Sequence, residues 1–161
     1  MRFSIVFASF FLLAQRATSH FILQYPHSLG FGDDIESEAP CGGFPVKFNA
    51  SDDSIPVGGF PVSMLSVHPA SEWLFKATLD QEAPFNWTNL LPVVDETGIG
   101  QFCLPHLKAP ESFAGHPGLV QVIQQSPDGT LYQVHTLSFS GILWALPSSF
   151  VFFLFSFSAY A

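Results

Sequence analysis

Between residues 20 and 140 the apolar positions recur mostly every second residue, in short runs closed by Pro, Gly and Asp. That period belongs to half-buried strands, not helices. Residues 71–80, SEWLFKATLD, show it most plainly. Trp73, Phe75, Ala77 and Leu79 fall on one face, with Glu72, Lys76, Thr78 and Asp80 mostly on the other. Similar runs at 20–26, 59–69, 85–94, 98–105, 118–126 and 130–139 predict six more strands. The segment SPDGT at 126–130 predicts a tight turn, since Pro presets φ and Gly tolerates φ > 0. No helical period stands out. Seven or so short strands at this spacing predict an all-β, Ig-like or fibronectin-like antiparallel β-sandwich.

The two ends carry a different pattern. Arg2 followed by the apolar stretch IVFASFFLLA at 5–14 reads as a secretion signal, too short to span a bilayer comfortably. Ala17 and Ser19 fit the small residues read at a cleavage site. Cleavage after Ser19 makes residues 1–19 the signal and His20 the new N-terminus. Residues 141–161 form an uncharged hydrophobic tail, GILWALPSSFVFFLFSFSAYA. No basic residue follows it, which disfavours a stop-transfer anchor. A GPI signal fits better, with Ser138, Ser140 and Gly141 near a possible attachment point, although the usual polar spacer is missing. These features predict a secreted protein or one held at the outer face of the plasma membrane.

The 20–140 segment is the length of one domain with one core. It holds all thirteen acidic residues, opposed by Lys47, Lys76 and Lys108 alone. Such a surface repels phosphate backbones, which argues against nucleic acid, and attracts cations. An oxidising compartment allows the two cysteines, Cys41 and Cys103, to form a disulfide. The sequons NAS at Asn49 and NWT at Asn86 predict glycosylation. No phosphate-cradling glycine loop is present: GFG and CGG lack the strand–loop–helix spacing.

Six histidines remain as candidate chemistry. His27, His106 and His116 sit at strand ends or in Pro/Gly-rich loops and read as solvated. His20 and His68 differ as a pair. An N-terminal histidine offers its α-amine and ring Nδ1 as a chelate, and a second imidazole completes three nitrogens in a T. That set suits the tetragonal preference of Cu(II), which tops the divalent affinity order. The competing reading makes His20 a strand-start residue and His68, before Pro69, a rim residue.

Several motifs in order sharpen the choice. They are HFILQYP at 20–26, PCGGF at 40–44, VGGFPVSMLSVHPASEWLFKATL at 57–79, FNWT at 85–88, GIGQFCLP at 98–105 and SPDGTLYQ at 126–133. Together the chain resembles the fungal copper acquisition proteins of the BIM type, relatives of the lytic polysaccharide monooxygenases. The resemblance implies a β-sandwich, a signal peptide and usually a GPI anchor. It implies copper held by a histidine brace, here His20 and His68, without oxidative cleavage of polysaccharide. It also implies a role in copper uptake or handling, with a copper transporter at the cell surface as a partner.

One departure stands out. The family commonly continues after its L-Y-x segment with Cys-Ala-Asp, the aspartate being the third ligand. Here the positions hold Val134, His135 and Thr136. Asp128 and His135 are the nearby substitutes. The break begins at a valine, whose codons start with GT, and continues into residues of pyrimidine-rich codons. It therefore also reads as a translated, unspliced intron from residue 134 onward. Three functions follow for testing: copper binding without catalysis, a copper-dependent oxidative polysaccharide-cleaving enzyme, and a metal-free Ig-like surface module.

Overall fold

The computed structural model describes residues 20–49 and 51–141. The signal segment 1–19 and all of the hydrophobic tail beyond residue 141 lie outside them. The strands are β1 (Phe21–Tyr25), β2 (Asp53–Pro56), β3 (Phe60–Ser66), β4 (Ala70–Thr78), β5 (Thr88–Asn89), β6 (Val94–Thr97), β7 (Gly100–Leu107), β8 (Pro117–Ser126) and β9 (Gly129–Ser140). The helical content among the described residues is one 3-10 turn, Glu111–Phe113. Two sheets form: β1-β3-β7, and β2-β9-β8-β4-β5 with β6 also on β4. This is a β-sandwich, as the alternation predicts. Pairing is antiparallel except for β2, which runs parallel to β9.

The core is the space between the sheets. Phe21, Leu23, Phe60, Val62, Met64 and Leu107 enter it from the three-stranded sheet. Trp73, Phe75, Ala77, Val120, Val122, Leu137 and Phe139 enter from the other. Trp73 is fully buried. Its ring meets Phe21 edge-on at 5.1 Å and stacks near Phe102 at 6.2 Å, joining the two sheets. Its Nε1–H donates to Glu96 Oε2 at 3.1 Å, which gives the ring's polar tip a partner at the sheet margin.

Three expectations change. The predicted strand at 85–94 is interrupted: β5 spans two residues, and the chain returns to β4 only at Val94. Pro92 lies in the gap and has no N–H to give a ladder. The Cys41–Cys103 disulfide is absent, and both thiols are free. Cys103 is exposed on β7, one residue out of phase with the inward Phe102 and Leu104. Cys41 is buried in the 38–43 loop, whose Pro40 carbonyl accepts the Gln121 amide on the outer face of the other sheet. The thiols therefore lie on opposite outer sides of the sandwich, about two sheet layers apart and far beyond disulfide reach. Finally, residues 134–140 complete β9. Val134, Leu137 and Phe139 are buried, and Ser140 O accepts Val57 N–H at 2.9 Å. A segment so fitted to the sandwich stands against the unspliced-intron reading of 134–140.

The connection from β1 to β2 positions the site. Leu29 N donates to Val134 O at 2.8 Å, and Tyr132 N to Glu36 O at 2.9 Å. The loop thus continues along the edge of β9 where β2 ends and covers its free ladder groups. Gly42 holds φ +64°, and a Cβ there would run into Tyr132 O, so the loop lies tight on β9.

Candidate metal centre

His20 and His68 leave the same end of the three-stranded sheet. The last β1–β3 pair there is Phe21 with Ser66; His20 precedes the first and His68 follows the second by two residues. The corner carrying His68 is stitched down. His68 N donates to Ser66 Oγ at 3.3 Å. Gln124 Nε2 on β8 donates to Ser66 Oγ and to Ser71 Oγ, each at 2.9 Å. His68 is 1% exposed, so its ring is held rather than solvated. Its Nδ1 lies 3.7 Å from Asp128 Oδ2, in the two-residue β8–β9 turn that SPDGT predicts.

His20 is less enclosed. Its ring meets Phe31 edge-on at 5.3 Å. Its Nδ1 lies 3.5 Å from Asp33 Oδ1, yet this nitrogen is buried and makes no hydrogen bond. An imidazole nitrogen withdrawn from water without a partner is an unmet donor or acceptor. It is also the nitrogen that closes a chelate with the α-amine. That orphaned atom is what makes the residues fit a metal. Among the described residues no group of three or more His, Cys, Asp or Glu side chains forms a ready cage. A brace draws one of its three nitrogens from the backbone, so two imidazoles are all it asks of side chains.

The structure separates the other candidates. His135 lies on the inner face of β9, toward the far end of β1 from His20. Its Nδ1–H donates to His27 O at 2.6 Å, and its Nε2 stands 3.4 Å from Asp53 Oδ2. Burial holds its pKa below the usual histidine value, against the opposing pull of the His27 carbonyl and the nearby aspartates. His135 is thus not brought to His20 and His68. Thr136 pairs with Leu119 on the outer face. His27 and His116 are exposed outside the strands, as expected of solvated loops, whereas His106, also expected in a loop, is exposed on strand β7.

Two acids that the sequence did not mark complete the neighbourhood. Asp33 and Glu36 come from GFGDDIESEAP, a stretch that reads as a solvated acidic loop. Gly32 O accepts Ile35 N–H at 3.1 Å and Glu36 N–H at 3.0 Å, closing a tight turn. Glu36 is 1% exposed. Gln133 on β9 donates through Nε2 to Glu36 Oε1 and to Phe21 O, each at 2.6 Å, and its Oε1 accepts Leu23 N–H at 3.0 Å. One amide therefore fixes both the turn and the first strand at Phe21 and Leu23. Burial pushes the Glu36 carboxyl up to about 7, with the Asp33 charge adding to it; hydrogen bonds from Gln133 and the Phe21 backbone pull the other way.

Comparison with known proteins follows the same lines. Residues 18–142 match the family model described as copper acquisition factor BIM1-like. The chain is 37% identical over 131 residues to an uncharacterised protein of Aspergillus fumigatus, covering 76% of this chain and 54% of that protein. It is 29% identical over 132 residues to a lytic polysaccharide monooxygenase-like protein, X325, of Yarrowia lipolytica, covering 74% of this chain and 49% of that protein. The chain spans about half the length of these curated relatives.

Proposed function

The chain belongs to the family of BIM1-like copper acquisition factors, and on that premise we propose that it binds copper(II) outside the cell through a brace of His20 and His68, as a copper-handling protein and not an enzyme. The observation that carries this reading is the buried, unbonded Nδ1 of His20 at the sheet end that also carries His68. Cleavage after Ser19 supplies the α-amine. Amine and Nδ1 chelate the ion as cargo, and His68 gives the third nitrogen. Asp128 stands at His68 Nδ1, so the metal takes Nε2 and the carboxylate orients the ring, a recurring outer-shell arrangement. Metal competes with the amine's proton, whose usual pKa is about 7.7–8.0, so affinity rises with pH through neutrality.

Release outside the cell also gives Asn49 and Asn86, both exposed, their role as glycan acceptors. Anchoring through the hydrophobic end requires an attachment point beyond Ser140, because Phe139 is buried and Ser140 O is bonded to β2's neighbour Val57. The recipient of the copper is a transporter at the cell surface.

The test uses protein beginning at His20, the same protein with one glycine before His20, and His68→Ala. Copper(II) EPR and chelator competition are read on each. The parent gives a tetragonal, nitrogen-rich signal. Each variant loses at least the roughly 10–100-fold typical of removing even an outer-shell partner. A copper signal that survives both changes rejects the brace.

A further inference from the structure

We propose that Gln124, a core residue of β8, is a positioning residue for His68: it sets the backbone from which that imidazole reaches the metal. The inference rests on the brace reading above and assigns the brace its support from inside the sandwich.

The chain crosses from one sheet to the other between Ser66, the last residue of β3, and Ser71 on β4, with His68 on the way. Gln124 ties both sides of this crossing. It pairs with Trp73 across β4 and β8 and is 0% exposed, so its amide lies in the core. An amide nitrogen carries two protons. One goes to Ser66 Oγ and the other to Ser71 Oγ, each at 2.9 Å.

Ser66 passes the constraint to His68. Its oxygen accepts from Gln124 and from His68 N–H at 3.3 Å, which leaves its single proton for His68 O at 3.4 Å. The two bonds to His68 are long; the one from Gln124 is not. The hydroxyl's hold on both backbone ends of His68 thus depends on the glutamine that fixes its rotamer. Asp128 does not replace this hold. Its carboxylate is 61% exposed and stands 3.7 Å from His68 Nδ1, beyond a good hydrogen bond.

The residue type also needs a reason. Gln124 Oε1 is buried with no hydrogen bond, and a buried acceptor left unmet destabilises a fold. Methionine, of similar length, carries no such acceptor. What glutamine adds at this position is two donors, and both end at the crossing that presents His68.

The experiment uses protein starting at His20 as parent, with Gln124→Met, Ser66→Ala, their double variant, the glycine-extended protein and Gln121→Met. Gln121 is the control. It lies three residues earlier on β8, is 2% exposed and also has an unmet Oε1, but its amide bonds Pro40 O on the outer face. Two readouts are taken: hydrogen exchange of the His68 amide in the metal-free protein, and Cu(II) affinity with EPR. Gln124→Met and Ser66→Ala each speed exchange at His68. Each also weakens copper by roughly tenfold or more and alters the hyperfine values. The double variant is no worse than the stronger single, as expected of residues acting through one another. Gln121→Met leaves both readouts at the parent's values. Should Gln124→Met not fold, Ser66→Ala alone decides. If Gln124→Met and Ser66→Ala match the parent while the glycine-extended protein loses copper, the brace stands and the positioning role is overturned. If Gln121→Met disturbs copper equally, the effect is a general loss of stability, and the role is overturned too. If the parent shows no specific copper signal, the brace and the positioning role fall together.

Discussion

Glu36→Gln is the sharpest test of how the loop is held. The carboxyl is 1% exposed, its Oε1 accepts from Gln133 at 2.6 Å with the Phe21 backbone also favouring the charged form, and its Oε2 is buried without a hydrogen bond. Ionising it there leaves a buried charge half-satisfied, which is why its pKa is raised from 4.5 to about 7. The unfolded chain releases this proton near pH 4.5, whereas the folded protein keeps it until about 7. The proton-linked contribution is thus complete below pH 4.5 and is lost as pH rises to about 7. Above that both states are ionised and the curve is flat. At about 1.4 kcal/mol per pH unit the loss amounts to about 3 kcal/mol. Glutamine has the same shape and does not titrate. Urea unfolding of parent and variant at pH 4.5, 6 and 8 gives two stability curves. Titrations common to both proteins cancel in their difference. Stability of Glu36→Gln relative to the parent should rise by about 3 kcal/mol across that range, the size following from the linkage just worked. A constant difference, or one that shrinks toward alkaline pH, refutes the argument.

Two other predictions use the same material. His135 is kept neutral by burial, with its pKa below the usual 6.5. Its contribution is present above pH 6.5 and is lost as pH falls from there toward the folded value. His135→Asn keeps a donor for His27 O without titrating, so its stability should fall less steeply between pH 7 and 5; parallel slopes count against this. For the cysteines, unfolded protein without reductant should show two thiols per chain with a thiol reagent. In the native state Cys103 reacts promptly, while Cys41, buried and with its thiol pKa pushed up, reacts only on opening. Cys103→Ser should cost less than about 0.5 kcal/mol, as for an ordinary surface change. A thiol count of zero restores the disulfide.

Strands that bury one face were legible. Trp73, Phe75 and Ala77 announce β4 because each alternate residue must enter the core. β2 was not legible: Asp-Ser-Ile-Pro buries only Ile55, and its partner is the distant end of β9. The run at 85–94 misled because apolar content says nothing about which N–H groups exist; Pro92 lacks one. Cysteine count failed for a related reason. It establishes that one pairing is possible, not that both thiols share a side of the sandwich.

The candidate site divides along the same line. His20 and His68 could be found because a cleavage pattern and a family resemblance mark them in sequence. Asp33 and Glu36 could not, because acids in a Gly-rich loop are usually solvated and nothing nearby says otherwise. What withdraws Glu36 from water is Gln133, 97 residues later. That glutamine is itself unremarkable in TLYQVHTLSF until the strand's inward face is known. A polar residue on an inward position must find partners or destabilise the fold. Here it finds them in the first strand and in the loop together. Gln133 therefore sets the geometry between the chain's candidate N-terminus and its acidic turn, although it touches no proposed ligand side chain. A site of this kind becomes readable from the polar residue that the core is obliged to satisfy.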